Sequence, residues 1–414
     1  MRTNFEIAWA FIISRKRAMV MTLCGIIFGI GFFIITQAQT AGFQKFFVQT
    51  ILGTNGAIRI TDQFQDTLQS MVARTESGEN FQIRTKEGIE YVEGVEYPDV
   101  LIPKILQYPE VVGVSEIFEA NAPVTSGFRT QNGRILGIRL GDHLRVSDLS
   151  NQIIQGSLEQ FEANPRGIIL GTLLAERLNV EADDFVTIEG KNESRQYQIV
   201  CVFESGVEHI DKSYIYMNIA ENRSLMEVPF GEALLQIAIR SPDKAGPLAI
   251  QMQNEFRHIA TSWQEREKVW LDVFTALRYS SGITVSTIIL LAGIGMFNTL
   301  AMMVIEKTRE IAILRSMGFT SADISRIFLL QGGIILILGI LLGWVFGAAL
   351  TFGVSRIPLK IRGIFRTDNF IVSWDWSHYL AAAVVAVVVV FIASYIPARR
   401  AARVEPATII RGTS

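Results

Sequence analysis

Long runs without a charged residue alternate with charged stretches along this chain of 414 residues. Four runs contain no Asp, Glu, Lys or Arg: Ala18–Ile35, Tyr279–Ile305, Ile327–Ser355 and Tyr379–Ala398. Each has about 18 residues or more, enough for a helix to cross a hydrocarbon core of roughly 30 Å. The pattern therefore predicts four transmembrane helices, whose boundaries we set at residues 18–40, 279–305, 327–355 and 378–398.

The first run could also be read as a cleaved signal peptide, because Arg15, Lys16 and Arg17 precede it. The apolar region of a signal peptide is usually about 7–15 residues long and ends at a small-residue cleavage site. This run is longer, and Gln37-Ala38-Gln39 is only a weak match to such a site. The pattern favours a retained membrane anchor.

Between the first and second runs, residues 41–278 have ordinary charge density and strand-like alternation. Arg195–Ser205, Lys212–Ile219 and Ala233–Arg240 are predicted strands. Gly171–Val180 is a predicted short helix, and a second helix is predicted from an apolar stripe formed by Leu248, Met252, Phe256 and Ile259. This segment is therefore predicted to be a mixed α/β domain.

Basic residues near the ends of the spans predict the orientation, since they collect on the cytoplasmic side. Three groups fall on one side of four spans: Arg15–Arg17; Lys307, Arg309, Arg315 and Arg326; and Arg399, Arg400, Arg403 and Arg411. One group opposes them, formed by Arg356, Lys360, Arg362 and Arg366. We therefore place the amphipathic segment 1–17, the connection 306–326 and the tail 399–414 in the cytoplasm, and the loop 356–377 outside. The predicted fold is four transmembrane α-helices with a large mixed α/β periplasmic domain inserted between helices 1 and 2.

The residues that carry chemistry in enzymes are scarce. The four histidines, His143, His209, His258 and His378, lack metal-ligand spacing and are predicted to have surface or capping roles. The chain has no phosphate-binding GxxxxGK[ST] loop, and its two cysteines, Cys24 in a span and Cys201 in the domain, predict no intramolecular disulfide. The charge-free runs also lack histidine, which argues against a proton-driven antiporter. We predict no catalytic residue, no metal site and no cofactor bound by this chain.

Small residues recur every fourth position in two predicted spans. Gly25 and Gly29 form one GxxxG pattern, and Gly339, Gly343 and Gly347 form two more in register. Such glycines predict close helix packing, against a neighbour in the same chain or in a second protomer. Aromatic residues follow the first span (Phe43, Phe47) and precede the second (Trp270, Phe274). They predict either stalks that join the domain to the membrane or plain amphipathic packing.

A charged segment separates the second and third spans. As a helix, Glu306–Gly318 would carry Ile311, Leu314 and Met317 on one face, with Ile313 beside them. Charged residues would occupy the rest: Glu306, Lys307, Arg309, Glu310 and Arg315. Gly318 would end this helix, and Thr320 or Ser321 could cap another with Asp323 in its first turn. The pattern fits a helix docked in a partner's groove or one lying on the membrane surface.

The segment "EKTREIAILRSMGFT" (Glu306–Thr320) resembles the first cytoplasmic loop after helix two in ABC-transporter permeases of the MacB/FtsX/LolC–LolE superfamily. "SYIPARRAARVEPATIIRG" (Ser394–Gly412) resembles the tail that closes helix four there. "VVGVSEIFEANAPVTSG" (Val111–Gly127) and "GIILGTLLAERLNVEADDFVTI" (Gly167–Ile188) are similar to blocks of the LolC/LolE subfamily, and the resemblance covers nearly the whole chain in order.

This resemblance implies a mechanotransmission permease in the bacterial inner membrane, with both termini cytoplasmic. It implies a separate ABC ATPase dimer that uses ATP and Mg, a second permease subunit, identical or different, and a lipoprotein substrate passed to a periplasmic chaperone, with no role for nucleic acid. Eight residues would lie at the ATPase contact of a coupling helix: Glu306, Lys307, Arg309, Glu310, Ile311, Leu314, Arg315 and Gly318. Membrane lipid would surround the spans.

The sequence departs from the LolC pattern at three places. Glu189–Arg195 is barely a turn where LolC carries a long hook that holds its chaperone, so the chain is more similar to the hookless subunit. Ser355–Phe370 is unusually basic, and Gln331 stands where many relatives carry Glu. MacB-like efflux and FtsX-like regulation of a cell-wall hydrolase therefore stay open as alternatives, as does, more remotely, a membrane-anchored binding protein.

Overall fold

A computed structural model of the chain describes residues 2–63, 72–74, 80–82, 93–95, 97–229, 233–358, 360–361, 365–366 and 369–404. The chain divides into two compact units. The first, which we call the bundle, comprises Met1–Phe46, Asp272–Leu359 and Asp368–Ser414. The second, the inserted domain, comprises Phe47–Leu271 and Lys360–Thr367. Six residues of the predicted basic loop 356–377, namely 359, 362–364 and 367–368, fall outside the described residues.

Helices of very different length make up the two units. They are α1 (Arg2–Ser14), α2 (Lys16–Asn55), α3 (Pro98–Ile105), α4 (Leu140–His143), α5 (Leu149–Gln152), α6 (Leu158–Ala163), α7 (Thr172–Leu178), α8 (Glu208–Ser213), α9 (Ile219–Met226), α10 (Ala245–Phe256), α11 (Trp263–Arg266), α12 (Lys268–Glu306), α13 (Thr308–Ser316), α14 (Ser321–Ser355) and α15 (Trp376–Ala402). Among the described residues, α2, α12, α14 and α15 are long and apolar enough to cross a membrane. The four predicted apolar runs are thus confirmed as parts of helices that could span a membrane.

Three of these helices extend well beyond the apolar runs. Helix α2 continues without interruption from Lys16 to Asn55, and α12 begins at Lys268, before the charge-free run starts. Helix α14 begins at Ser321 and includes the polar turn that we assigned to the connection. Hydropathy locates the apolar part of a helix, whereas its ends depend on capping and on backbone hydrogen bonds.

The predicted glycine patterns lie at contacts between helices of the bundle. A Cβ atom placed on Gly339, Gly343 or Gly347 of α14 would lie within 2.7–2.8 Å of a side chain of α2, namely Ile26, Ile30 and Ile34 in turn. Gly25 and Gly29 of α2 similarly face Ala292 and Ile289 of α12. The glycines therefore contact neighbouring helices of the same chain.

The four predicted stalk aromatics make separate contacts in each unit. Within the bundle, the rings of Phe43 and Phe370 have centroids 5.5 Å apart, and Phe274 is buried. Within the inserted domain, the rings of Phe47 and Trp270 lie 5.5 Å apart, so the end of α2 packs against the start of α12.

The inserted domain contains one large mixed sheet and short hairpins. The strands are β1 (Ile58–Gln63), β2 (Val72–Arg74), β3 (Asn80–Gln82), β4 (Val111–Ser126), β5 (Arg129–Ile138), β6 (Ile153–Gly156), β7 (Gly167–Gly171), β8 (Phe185–Glu189), β9 (Ser194–Phe203), β10 (Tyr214–Asn218), β11 (Ala233–Ile239), β12 (His258–Ser262), β13 (Lys360–Ile361) and β14 (Phe365–Arg366). The sheet has the order β12-β1-β11-β4-β5-β10-β7-β9-β6, and β2–β3 and β13–β14 pair separately.

Strand β8 closes part of the sheet into a ring, because it pairs with both β4 and β9. The pairs β10–β5 and β7–β9 are parallel, while the other pairs of the ring are antiparallel. Ile199, Ile215 and Leu170 are fully buried in the core associated with this ring. A second core lies between α10 and the strands at the other end of the sheet and contains Ile58, Ile237 and Met252.

The predicted mixed α/β character is confirmed. Predicted strands Arg195–Ser205, Lys212–Ile219 and Ala233–Arg240 correspond to β9, β10 and β11, and the predicted helix Gly171–Val180 to α7. One prediction was wrong, because Ile259 lies in β12 and not on a helix with Met252. Arg257 has a φ of 55°, the left-handed conformation that ends α10.

Three histidines are buried, which corrects the predicted surface or capping roles. His143, His258 and His378 expose 1%, 8% and 5% of their surface, whereas His209 is exposed. A hydrogen bond joins Nδ1 of His143 to the Ser115 hydroxyl oxygen, 3.2 Å away. Among the described residues, no group of three or more His, Cys, Asp or Glu side chains could hold a metal ion.

Candidate coupling site

The connection between α12 and α14 is a short helix followed by a sharp turn. Helix α13 extends from Thr308 to Ser316, and Lys307 precedes it at the N-cap. Helix α12 ends at Glu306, so only Lys307 separates α12 from α13. The Thr308 hydroxyl donates a hydrogen bond to the carbonyl oxygen of Val304 in α12, 2.8 Å away. Gly318 has a φ of 101°, a conformation that a glycine reaches without strain, and it ends the helix as predicted.

The turn after Gly318 leads directly into the third span. Thr320 is the N-cap of α14, and its side chain accepts a hydrogen bond from the Asp323 backbone while the Asp323 carboxylate accepts one from the Thr320 backbone. This capping box satisfies two otherwise free backbone groups. The turn therefore leads directly into a helix that is continuous to Ser355 and long enough to span a membrane.

The inner face of α13 is part of the bundle core. Ile311 exposes 1% of its surface and Ala312 none, and both Ile324 and Phe328 of α14 belong to the same apolar cluster as Ile311. Leu314 is half-buried against that cluster. This arrangement corrects the predicted docking face: Ile311 is not accessible to a partner, and Leu314 is accessible only in part.

The outer face of α13 carries two exposed apolar side chains four residues apart. Ile313 exposes 45% of its surface and Met317 73%, and residues four apart lie on the same side of a helix. Arg309 and Glu310 are exposed next to them. We call Arg309, Glu310, Ile313 and Met317 the outer face. The residue spacing places Ile313 beside the predicted apolar stripe, but spacing alone does not show which side of the helix the bundle covers.

Two charged residues fasten α13 and its flanks to other parts of the bundle. Glu306 at the end of α12 forms an ion pair with Arg15, which lies between α1 and α2. The guanidinium Nη1 of Arg315 donates to the carbonyl oxygens of Ala402, 2.9 Å away, and Val404, 3.3 Å away. Arg315 therefore supplies donors to the carboxyl end of α15, where backbone carbonyls lack helical partners.

Helix α1 adds a further contact on the same side of the bundle. The rings of Phe11 and Phe328 have centroids 6.3 Å apart, and the Lys307 ammonium lies 5.7 Å from the Phe11 ring centre, within the range of a cation–π contact. Lys307 also pairs with Glu310. Of the eight predicted contact residues, Arg309, Glu310 and Gly318 thus lie on exposed surface, while Glu306, Ile311 and Arg315 make contacts within the bundle.

In the inserted domain, the short segment Glu189–Arg195 is folded back and fastened. The Lys191 backbone N–H donates to the Leu225 carbonyl oxygen, 3.3 Å away, and the Asn192 side chain donates to the Glu227 carboxylate, 2.7 Å away. The Arg195 guanidinium donates a hydrogen bond to the Glu221 carboxylate, 3.0 Å away. Burial and a hydrogen bond to Glu221 also raise the pKa of Tyr197. The turn therefore does not project as a hook.

Together, four helices long and apolar enough to span a membrane, a large inserted α/β domain and a short helix anchored between the second and third spans define a multi-pass membrane protein. A family model of the FtsX-like permease C-terminal matches residues 282–406, and one of the MacB-like periplasmic core domain matches residues 19–254. Since the latter covers more than half of the chain, the chain belongs to the family of ABC-transporter permeases that contain a MacB-like periplasmic core domain.

Several relatives match over most of their length. A lipoprotein-releasing system transmembrane protein LolC from Xylella fastidiosa is 26% identical over 73% of this chain and 78% of its own. LolE from Haemophilus influenzae is 23% identical over 99% of both chains, and the uncharacterized ABC transporter permease YknZ from Bacillus subtilis is 22% identical over 99% and 98%.

Among solved structures, the periplasmic region of MacB from Actinobacillus actinomycetemcomitans aligns with 55% of this chain and 97% of its own, at 11% identity and a TM-score of 0.33. The four apolar helices and the LolC and LolE relatives indicate a multi-pass protein of the inner membrane.

Proposed function

We propose that this chain is the membrane subunit through which a separate ATPase dimer drives the release of lipoproteins from the inner membrane. Family membership implies an ABC transporter with a partner ATPase and a second permease subunit, and the relatives LolC and LolE are both named for lipoprotein release. ATP and Mg would be bound by the ATPase. Both termini and α13 would face the cytoplasm.

The exposed pair Ile313 and Met317 is the observation that carries the proposal. The pair stands on a helix whose opposite face, at Ile311 and Ala312, is embedded in the bundle. Exposed apolar side chains at i and i+4 are the anchors by which a helix binds a groove, and Arg309 and Glu310 beside them can set the register. The predicted role of the coupling helix is kept, but its contact surface is the outer face.

The anchoring of α13 explains how force on the outer face would reach the spans. A push from a closing ATPase would act on α12 through one intervening residue, on α14 through the capped turn, and on α15 through Arg315. Packed helices move together as rigid bodies, because side chains in a protein interior are packed about as densely as molecules in an organic crystal. Helices α2 and α12 are continuous beyond the apolar runs, so a tilt of either helix would be carried to its far end.

Two further features support the proposed lipoprotein cargo and the proposed roles of this chain and the second permease subunit. A lipoprotein lifted from the outer leaflet need not pass its acyl chains through the bundle, which agrees with charge-free runs in the spans. Because the turn at Glu189–Arg195 is fastened to α9, this chain would act as the hookless subunit, and the second permease would hold any periplasmic chaperone.

The test uses the complex of this chain with its ATPase and second permease in proteoliposomes that contain an acylated lipoprotein. Ile313→Asp and Met317→Asp together should lower ATPase co-purification at least tenfold and abolish release, because each introduces a charge at an apolar contact. Arg326→Ala, an exposed change near the start of α14 but outside the outer face, is the control and should retain both.

Two results would contradict the proposal in different ways. Full ATPase retention by the double variant would show that the outer face is not the coupling contact. An intact wild-type complex that hydrolyses ATP but leaves every lipoprotein in the membrane would reject the cargo, while leaving the coupling role in place.

A further inference from the structure

A groove of about 600 Å³ runs along the bundle between α2, α12 and α15. At one end it is lined by Gln37, Arg278 and His378, and further along by Leu290, Val385 and Val389. The groove is therefore polar at one end and mainly apolar along the rest, where Ser286 and Thr287 are polar lining residues. It is formed by one chain, and it is separate from α13 and the outer face, since none of their residues lines it.

The polar end holds donor groups that the protein does not use. His378 is 5% exposed, and its Nε2 atom has no hydrogen-bond partner. Arg278 forms no ion pair with a carboxylate among the described residues. The nearby Asp375 carboxylate accepts a hydrogen bond from Ser373, 2.6 Å away. A buried polar atom without a partner costs free energy, so a ligand that accepts a hydrogen bond would remove a penalty here.

The length of the groove matches one leaflet of a bilayer. From Arg278 to Leu290, α12 rises about 18 Å, and from Ser377 to Val389, α15 rises by the same amount. Half of a hydrocarbon core of roughly 30 Å is about 15 Å. The polar end would then lie at the headgroup level and the aliphatic part beside one layer of acyl chains. The groove wall at Ile283 is 70% exposed, which leaves access from the side.

We propose that this groove binds one phospholipid from the leaflet at the Arg278 end of the bundle. The phosphate would accept hydrogen bonds from the Arg278 guanidinium and the His378 imidazole, since guanidinium groups bind phosphate in a charge-assisted manner. One acyl chain would lie along Leu290, Val385 and Val389. This lipid would be a resident of each permease chain and not the transported cargo, so the inference does not depend on the proposed function.

The test measures phospholipid retained by the full-length chain after purification in detergent, by native mass spectrometry and phosphorus content. Wild type should retain about one phospholipid per chain, and added phosphatidylglycerol should raise its melting temperature. Arg278→Glu combined with His378→Leu should lower retention at least fivefold. Ala381→Trp, which puts an indole into the groove from an exposed position, should do the same with the polar end intact.

Arg356→Glu is the matched control, because Arg356 is an exposed cation beyond the end of α14 and does not line the groove. It should retain lipid as wild type does, and a melting temperature within a few degrees of wild type shows that each variant is folded. Absence of phospholipid from wild type, or equal retention by all variants, would overturn the proposal. So would efficient disulfide cross-linking of Ala381→Cys between two chains in membranes, since a second copy would then fill the groove.

Discussion

Arg315 in the second connection donates a hydrogen bond to the carbonyl oxygen of Ala402, 2.9 Å away, at the end of the fourth span. These residues are far apart in the sequence, and the bond joins α13 to the carboxyl end of α15. A cation at this end also interacts favourably with the helix dipole. Arg315 is thus a structural tie within the bundle, although its position in a charged segment made it a candidate for contact with a partner.

Arg315→Ala should destabilise the bundle by about 1–3 kcal/mol, because it leaves carbonyls of Ala402 and Val404 without their donor. Thermal unfolding of the purified chain in detergent measures the change. Arg309→Ala, which removes an exposed cation from the same helix, should leave the melting temperature unchanged. Equal melting temperatures for Arg315→Ala and wild type would show that the tie contributes nothing.

Gln331→Met should stabilise the protein. Gln331 is fully buried in α14, and neither its amide nitrogen nor its amide oxygen has a hydrogen-bond partner. A buried unsatisfied polar group costs about 1–3 kcal/mol, and methionine has a similar shape without that cost. Gln37→Met is the contrast, because Gln37 donates to the Arg278 carbonyl, 3.3 Å away, and should lose stability. A lower melting temperature for Gln331→Met would mean that the amide is bonded in solution.

Gly343→Ala should destabilise the packing of α14 against α2. A Cβ atom there would lie 2.8 Å from Cγ2 of Ile30, and overpacking of this kind costs about 1–3 kcal/mol. Gly333→Ala in the same helix meets nothing within 4 Å and should be neutral or slightly stabilising, because alanine favours the helix. Thermal unfolding of the two variants side by side measures the difference. If both lowered the melting temperature equally, helix packing would not be the cause.

Stability of the inserted domain should fall as the pH drops from 7 to 5, and His143 should cause part of the fall. Burial lowers the pKa of His143 from 6.5 to about 4. The unfolded chain therefore takes up a proton below pH 6.5 while the folded domain does not, which favours unfolding by roughly 2 kcal/mol at pH 5. His143→Phe should reduce this pH dependence of the melting temperature.

The exposed His209 provides the control for that measurement. His209→Gln should leave the difference in melting temperature between pH 7 and pH 5 as it is in wild type. A His143→Phe variant that keeps the full difference would assign the pH dependence to other groups.

Cysteine labelling should give opposite results for the inserted domain and for the connection between the second and third spans. In a background with Cys24→Ser and Cys201→Ala, Asn192→Cys should react with an impermeant maleimide in intact spheroplasts, and Ser316→Cys should react only after lysis. Both positions are exposed, so accessibility within the fold does not limit the reaction. The reverse pattern would place the inserted domain in the cytoplasm and contradict the proposed orientation.

Several features could be predicted because they depend on neighbouring residues alone. A charge-free run such as Tyr279–Ile305 must be helical in a membrane, where every backbone group needs a partner within its own segment. The strands that contain Ile199 and Ile237 are recognisable as short apolar runs. Gly318 ends one helix and Thr320 caps the next through local backbone geometry. For such features, the residues that cause the structure are adjacent in the sequence.

The accessible side of α13 could not be predicted, because Ile311, Ile313, Leu314 and Met317 are all apolar and lie around much of a helix. Packing against α14 buries Ile311 and leaves Met317 exposed, and this choice depends on residues such as Phe328 in another helix. The partner of Arg315 is likewise set by where α15 ends. Tertiary contacts join residues that are distant in the chain, and local spacing carries no record of which of them meet.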